Sequence, residues 1–456
     1  MTSKTVFLSC FHSLMSRNIL QTPVLSGVLK CADKVVILVP INKQEYYTKQ
    51  FGSSQIIIEG VEVGPSIRTL RVGMLKRLAE ALPNTARAAM GRKLTLSGTQ
   101  KNKLYYYLFY VPASILGKSR FIMHLLRRVD YYLSPRGRFY PLFDKYSPSL
   151  IFATDVQNEH DVALMQDAYA KSLQIIGMVR SWDNLVTRAF RFVPRKLIVH
   201  NEIIKEQAVK LYGINADSIT VTGVPHYDRY LKGPTIPREI FLKNAGLNPA
   251  KKTILFFPLC DYRVVHKNKD GEMVYMDQEI LTQLSDIDAN IIVRFSPNET
   301  VTIPGFKKPD NYYFDHPGYT FDNKVVTNRE VTAEDDMRLI NELSHSDIVL
   351  SGPSTTAIDA ALFDKPIIFI NFQGKEKVKG IGQIFEYASE HIVNILKTGG
   401  STAVENKDEL LSGIKQYFND PKLHHEGRKQ IVSEQCFKTD GQSSSRVVSE
   451  ICRLCN

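Results

Sequence analysis

The sequence predicts an α/β protein made of two doubly wound parallel-sheet domains that face each other across a cleft, with a helix at the C-terminal end. Three observations predict it. At 456 residues the chain is too long for a single compact core. Short β-branched runs alternate with helix-length stretches, the pattern of parallel strands joined by helical crossovers. The alternation is interrupted once and then restarts, which gives two halves.

In order, the first half offers strands at Thr5 to Cys10, Val35 to Val39 and Gln55 to Val61, then at Leu150 to Thr154, Leu173 to Val179 and Lys196 to His200. Ile219 to Thr222 leads into Gly223-Val224-Pro225, a strand and turn suited to connecting two lobes. The second half offers strands at Thr253 to Phe257, Asn290 to Phe295, Tyr312 to Phe314, Asp347 to Leu350, Pro366 to Asn371 and His391 to Ile395. Helices are expected at Asp277 to Leu284, Ala333 to Ser344, Thr355 to Phe363 and Lys407 to Phe418. The expected domains are therefore Rossmann-like units at 1–215, with an insertion at 62–148, and at 216–435, followed by a helix at 436–456 that packs back on the junction.

Composition is that of a globular protein: 43% hydrophobic, 10% aromatic and 23% charged residues, which excludes disordered and fibrous classes. The six cysteines are scattered, so a reducing, cytoplasmic setting is expected, with Cys452 and Cys455 as ordinary thiols near a helix end. The N-terminal apolar run is too short for a signal segment, and the chain holds no apolar stretch of membrane-spanning length.

Net charge is +11, and between Val61 and Leu150 stand 16 Lys and Arg against 4 Asp and Glu, so one segment carries the imbalance. There the cations Lys101, Lys103, Lys118, Arg120, Arg127 and Arg128 are interleaved with Tyr105 to Tyr110, Ile115, Leu116, Phe121, Ile122, Leu125 and Leu126. Such a surface suits anionic lipid headgroups, so peripheral contact with the inner face of a membrane is expected. The alternative is a solvated basic face over a domain core. Zinc-finger spacing, a ribonucleoprotein-type aromatic motif and a basic helix leading into heptads are all missing, so nucleic acid is not the expected partner.

Ligands of open α/β sheets bind beyond the carboxyl ends of the strands, so the candidate site residues are sought there. Asp347-Ile-Val-Leu-Ser351-Gly352-Pro353-Ser354-Thr355-Thr356 reads as a buried strand, a turn of small residues and a helix capped by Ser354, a place for a diphosphate. Gly223, Pro258, Arg263, Arg294, Ser351 and the ribose candidates Asp336 and Glu342 complete the expected donor set. On the acceptor side the strand ending at Val179 runs into Arg180-Ser181-Trp182-Asp183-Asn184, which holds the one tryptophan of the chain. Asp183 is the first candidate for a general base, with Asp155 and His12 in reserve, while Arg180, Trp182 and Asn184 are expected to touch the acceptor. No metal constellation, P-loop or dinucleotide fingerprint is present in the sequence, so neither a metal nor a cofactor is expected beyond the nucleotide donor itself.

At these residues the chain resembles the GT-B superfamily, in particular the branch of CDP-glycerol glycerophosphotransferases and related bacterial surface-polysaccharide glycosyltransferases. Arg180-Ser181-Trp182-Asp183-Asn184 with Arg188 resembles that branch's Trp-His-Gly loop, with Asp183 where its catalytic histidine stands. Asp336 through Ser346-Asp347 to Ser354-Thr355 and Lys365-Pro366 is similar to its donor-phosphate region, and Asp440-Gly441-x-x-Ser444-x-Arg446 to its C-terminal signature. The branch's His-Pro strand end reads Arg294-Phe295-Ser296-Pro297 here. The resemblance implies a GT-B fold, and the two departures, with a carboxylate as base, favour a metal-independent, inverting glycosyl transfer from a nucleotide-diphosphate sugar to a surface-glycan or lipid-linked acceptor. Glycerophosphate transfer and 2-epimerisation of a nucleotide sugar are the alternatives on the same fold.

Overall fold

A computed structural model describes residues 4–63, 70–97, 103–268, 270–321, 329–372 and 384–455. Lys101 of the basic segment lies outside them. The chain forms two compact units, 1–228 with 436–456, and 229–435.

Unit 1 is built on a seven-stranded sheet of β1 (Thr5–Ser9), β2 (Lys34–Pro40), β3 (Ile56–Val61), β4 (Leu150–Ala153), β5 (Gln174–Met178), β6 (Lys196–Val199) and β7 (Ile219–Val221), in the order β3-β2-β1-β4-β5-β6-β7. Every pairing is parallel. The central strands are buried on both faces, as their unbroken runs of Val, Ile, Leu and Phe require. The order reverses between β1 and β4, where Val6 pairs with Leu150. Side chains at the carboxyl ends of these two strands therefore share one crevice.

Five longer helices of the basic segment, Leu70–Ala81, Ala86–Ser97, Val111–Leu116, Arg120–Leu133 and Tyr140–Tyr146, lie between β3 and β4. A buried ion pair anchors the fourth: Arg191 Nε meets Asp130 Oδ2 at 2.7 Å, and Ser134 and Gln166 also bond Asp130. The opposite stripe of this helix, Phe121, Leu125, Arg128 and Tyr132, is exposed, with Phe121 at 76% and Tyr132 at 81%.

The last helix, Ser443–Cys455, belongs to unit 1. Asp228 caps it, its two carboxylate oxygens accepting from Ser443 N at 3.0 Å and Ser444 N at 2.7 Å. Its Val448 lies where a side chain on Gly27 would stand, so the helix Pro23–Val28 approaches as only a glycine permits. Beyond this contact Cys31 and Cys452 form a disulfide across 421 residues of sequence. This corrects the expectation of ordinary thiols: Cys455 is a buried free thiol, but Cys452 is not, because its partner comes from the other end of the chain.

Unit 2 contains β8 (Thr253–Phe256), a hairpin of β9 (Val265–Lys267) and β10 (Met273–Tyr275), β11 (Asn290–Arg294), β12 (Tyr312–Asp315), a two-residue pair β13 (Tyr319–Thr320) and β14 (Arg329–Glu330), then β15 (Ile348–Ser351), β16 (Ile367–Ile370) and β17 (Thr402–Val404). Its six-stranded parallel sheet runs β12-β11-β8-β15-β16-β17, and the order reverses between β8 and β15. The two-domain α/β fold class stands as expected. One element does not: His391 to Ile395 lies within a helix, Glu390–Lys397, that buries Ile392 and Ile395. Those two are three residues apart, a helical spacing that the β-branched composition conceals. The edge strand is β17 instead.

Candidate functional site

In unit 1 the carboxyl ends of β1, β4 and β5 surround a cavity of about 290 Å³ whose wall includes His12, Lys76, Asp155, Arg180 and Arg188. His12 follows β1 and caps the short turn Ser13–Met15, its Nδ1 accepting from Leu14 N at 3.2 Å. The neutral ring therefore carries its proton on Nε2. Burial first, then the charges of Arg180, Lys43 and Arg188, push its pKa down to about 3. At neutral pH His12 is a hydrogen-bond donor, which corrects its reserve role as a base.

Asp155, following β4, is 2% exposed and holds Arg180 Nη1 through Oδ2 at 2.6 Å, while its Oδ1 accepts from Gln157 N at 3.3 Å. Beneath it Asp161 accepts from Ser9 Oγ and Asp155 N, and burial beside Asp155 raises its carboxyl well above the usual carboxylate range. Asp155 thus orients Arg180 through that ion pair.

The turn after β5 departs from expectation. Trp182 is 7% exposed, edge-on to His200 at 5.2 Å between ring centroids and 6.2 Å from Tyr227. It is a core residue rather than an acceptor platform, because the large indole is worth more buried. Asn184 is also buried, in the first turn of Asn184–Thr187, and its Oδ1 has no partner among the described residues. Asp183 is half-buried at the head of that turn, its carbonyl accepting from Thr187 N at 3.2 Å. Sequence reasoning missed His200: fully buried at the end of β6 with both ring nitrogens unpartnered among the described residues, it has a pKa pushed down by burial to about 4.

In unit 2 the loops after β8 and β15 meet at the reversal of strand order. Pro258 is buried, and Asp277 shapes the residues after it, accepting from Leu259 N at 2.8 Å and Cys260 N at 2.9 Å. Burial raises the Asp277 pKa to about 6. Arg263 bonds Glu386 at 3.2 Å and the Leu259 carbonyl at 3.1 Å. After β15, Ser351 is buried with its hydroxyl on the Gly352 carbonyl, whereas Ser354, Thr355 and Thr356 are half-exposed. The cap of the helix Thr356–Leu362 is Thr355, one residue beyond the expected Ser354; Ser354 Oγ still accepts from Thr356 N at 3.2 Å and bonds its hydroxyl at 2.8 Å.

Four expected donor contacts are structural instead. Arg294 is 6% exposed, with Nη1 on Asp315 at 2.5 Å and Glu342 at 2.8 Å and Nη2 on the Asp335 carbonyl at 2.9 Å. It neutralises two buried carboxylates and has no reach to a phosphate, and Glu342 is fully buried beside it. Asp336, 1% exposed, pairs with Arg229 at 3.1 Å and offers nothing to a ribose. Gly223, in unit 1, has φ +82°, and a Cβ there would stand 2.5 Å from Ser443 Oγ. The glycine exists to admit the C-terminal segment. The Asp440…Arg446 signature belongs to the same clasp: Arg446 bonds both Asp440 and, at 3.3 Å, the Thr222 carbonyl.

Comparison with known proteins accords with this arrangement. A curated UDP-N,N'-diacetylbacillosamine 2-epimerase (hydrolyzing) from Legionella pneumophila is 22% identical over 262 residues, 56% of this chain and 60% of the relative, so the match leaves out a large part of that protein. A crystal structure of a UDP-N-acetylglucosamine 2-epimerase superposes with a TM-score of 0.54 at 12% identity, covering 99% of this chain and 95% of the other. A variant of the wall teichoic acid polymerase TagF superposes at 0.52 and 11% identity, covering 99% and 88%. These likenesses establish the two-unit fold. The model of CDP-Glycerol:Poly(glycerophosphate) glycerophosphotransferases matches residues 152–453, from β4 to the final helix and so across the β15 loop and the C-terminal clasp, and the chain belongs to that family.

Proposed function

We propose that the protein is a transferase that moves a glycosyl group from a nucleotide-diphosphate donor to a hydroxyl of a surface-glycan or lipid-linked acceptor. One observation carries this reading: where the strand order of the first sheet reverses, residues that follow β1, β4 and β5 line one polar cavity, and open α/β sheets bind ligands at such reversals. The family match and the nucleotide-sugar substrates named for the relatives support it. The donor diphosphate lies on the loop Ser351–Thr356, taking bonds from the Ser354, Thr355 and Thr356 hydroxyls and the local backbone amides. Arg263, beside Pro258, adds positive charge for the departing nucleotide.

The base role is assigned to Asp183, a half-buried carboxylate in the turn that follows β5. It deprotonates the acceptor hydroxyl, which attacks the anomeric carbon opposite the departing diphosphate and inverts it without a metal. Asp183→Asn is expected to cut transfer at least a hundredfold with donor binding intact, measured by product formation and calorimetry. Unchanged turnover overturns the assignment. The curated relative's name favours 2-epimerisation as a second reading; release of an isomerised sugar from donor alone would establish it.

No described helix is long and apolar enough to cross a membrane. The exposed stripe of the helix Arg120–Leu133, with Leu70, Met74 and Leu108 also exposed in the same segment, instead suits the surface of an anionic bilayer. Vesicles containing phosphatidylglycerol should sediment the protein, and Phe121→Ser combined with Tyr132→Ser should release it; equal recovery with neutral vesicles counts against this part.

A further inference from the structure

The unit 1 cavity carries more positive charge than the chain itself neutralises. Four cations stand on its wall, Lys76, Arg180, Arg188 and Arg191, against two carboxylates, Asp155 and Glu159. Arg191 is turned to Asp130, which takes its Nε at 2.7 Å and its Nη2 at 3.1 Å. Arg180 spends Nη1 on Asp155, yet its Nε is buried without an acceptor among the described residues. Arg188 is the extreme case: its Nε is likewise buried and unpartnered, and none of the ion pairs among the described residues involves it. Between these groups His12, its Nδ1 already occupied, has only Nε2–H left to offer.

A desolvated N–H without an acceptor is costly, and two guanidinium Nε–H groups beside one cavity double the cost. Folds keep such groups where a ligand satisfies them. The complementary ligand is an oxyanion: planar guanidinium forks match the geometry of a carboxylate or phosphate, and a neutral imidazole N–H adds a third donor without repelling any cation nearby. Water alone fills the space but brings no negative charge to a wall that carries four cations against two carboxylates.

We propose that this cavity binds an oxyanion group, a phosphate or a carboxylate, of the acceptor, held by Arg180, Arg188 and the His12 ring with Lys76 over it. The assignment of the anion to the acceptor rests on the transferase reading; the binding of the anion does not.

The test is calorimetric titration of the full chain at low ionic strength with three probes: methyl phosphate, dimethyl phosphate and acetate. They stand for a phosphomonoester terminus, a phosphodiester chain and a sugar acid. At least one is expected to bind, and to weaken as chloride is added. The probe that binds best names the source. Arg188→Met should weaken it at least tenfold, Arg188→Lys less, and Lys210→Met, which removes one exposed positive charge elsewhere on unit 1, not at all. Because the Arg188 guanidinium bonds no described side chain, these variants should keep the parent's Trp182 fluorescence, which verifies folding. Absence of binding by all three probes overturns the proposal, as does binding that Arg188→Met leaves unchanged. Neither result bears on Asp183: oxyanion binding with full activity in Asp183→Asn would sink the transferase mechanism alone.

Discussion

His200 should make the stability of unit 1 depend on pH in a way that a single substitution removes. Its ring is fully buried, packs edge-on against Trp182, and is held neutral, with a pKa pushed from the ordinary 6.5 down to about 4. The unfolded chain protonates this histidine as pH falls through 6.5, whereas the folded chain does so only near 4. Between those values the unfolded state binds the additional proton, so stability is fully present above 6.5 and is lost as pH falls. With RT ln 10 worth about 1.4 kcal/mol, the loss is about 2 kcal/mol between pH 7.5 and pH 5 and about 3.4 kcal/mol at completion. His12, held down to about 3, adds a slope of similar size in the same window. His200→Phe keeps the ring and discards the titration. Urea unfolding followed by Trp182, the only tryptophan, reports this unit directly. Parent and variant should differ little at pH 7.5, and at pH 5 the variant should have lost about 2 kcal/mol less. Equal losses in the two proteins would refute the reasoning.

Two further substitutions separate structural residues from ligand contacts. Arg294→Met strands Glu342, which is fully buried and already raised to about 7 by burial, and should cost unit 2 about 3–5 kcal/mol in urea unfolding. Adding Glu342→Leu should restore most of that, and donor affinity in the folded variant should not change. Gly223→Ala forces a side chain into a left-handed backbone and onto Ser443, and should cost about 1–3 kcal/mol in thermal unfolding. Ser443→Ala in the same chain should recover the steric part and leave the backbone part.

The strands were legible because buried parallel strands are unbroken apolar runs, and β1, β4, β8 and β15 fall within a residue or two of where those runs stand. The positions at which ligands gather were legible for the same reason: once the strands are ordered, their carboxyl ends follow. The roles of individual side chains were not. Arg294 looks like a phosphate ligand until Asp315 and Glu342 arrive, and those partners sit on other elements, 21 and 48 residues away. Trp182 followed by an acidic residue looks like a binding platform, but the ring that covers it, His200, comes from the next strand. Cys31 and Cys452 stand at opposite ends of the sequence, and nothing local to either foretells their meeting. Local chemistry announces a strand end; whether its charge serves a ligand or a neighbour is decided by tertiary partners.

The return of residues 436–456 to unit 1 has a consequence for how the protein is made. The first unit is not a continuous stretch of sequence: the second is threaded into it, and the clasp of Asp228 on Ser443 and Ser444 closes across that insertion. A ribosome therefore releases all of unit 2 before the first sheet receives its final helix. Until then the apolar faces of Val24, Leu25 and Val28, which that helix covers, stand open. The core face that carries Val24 to Val28 is thus sealed only after the whole of unit 2 has been made.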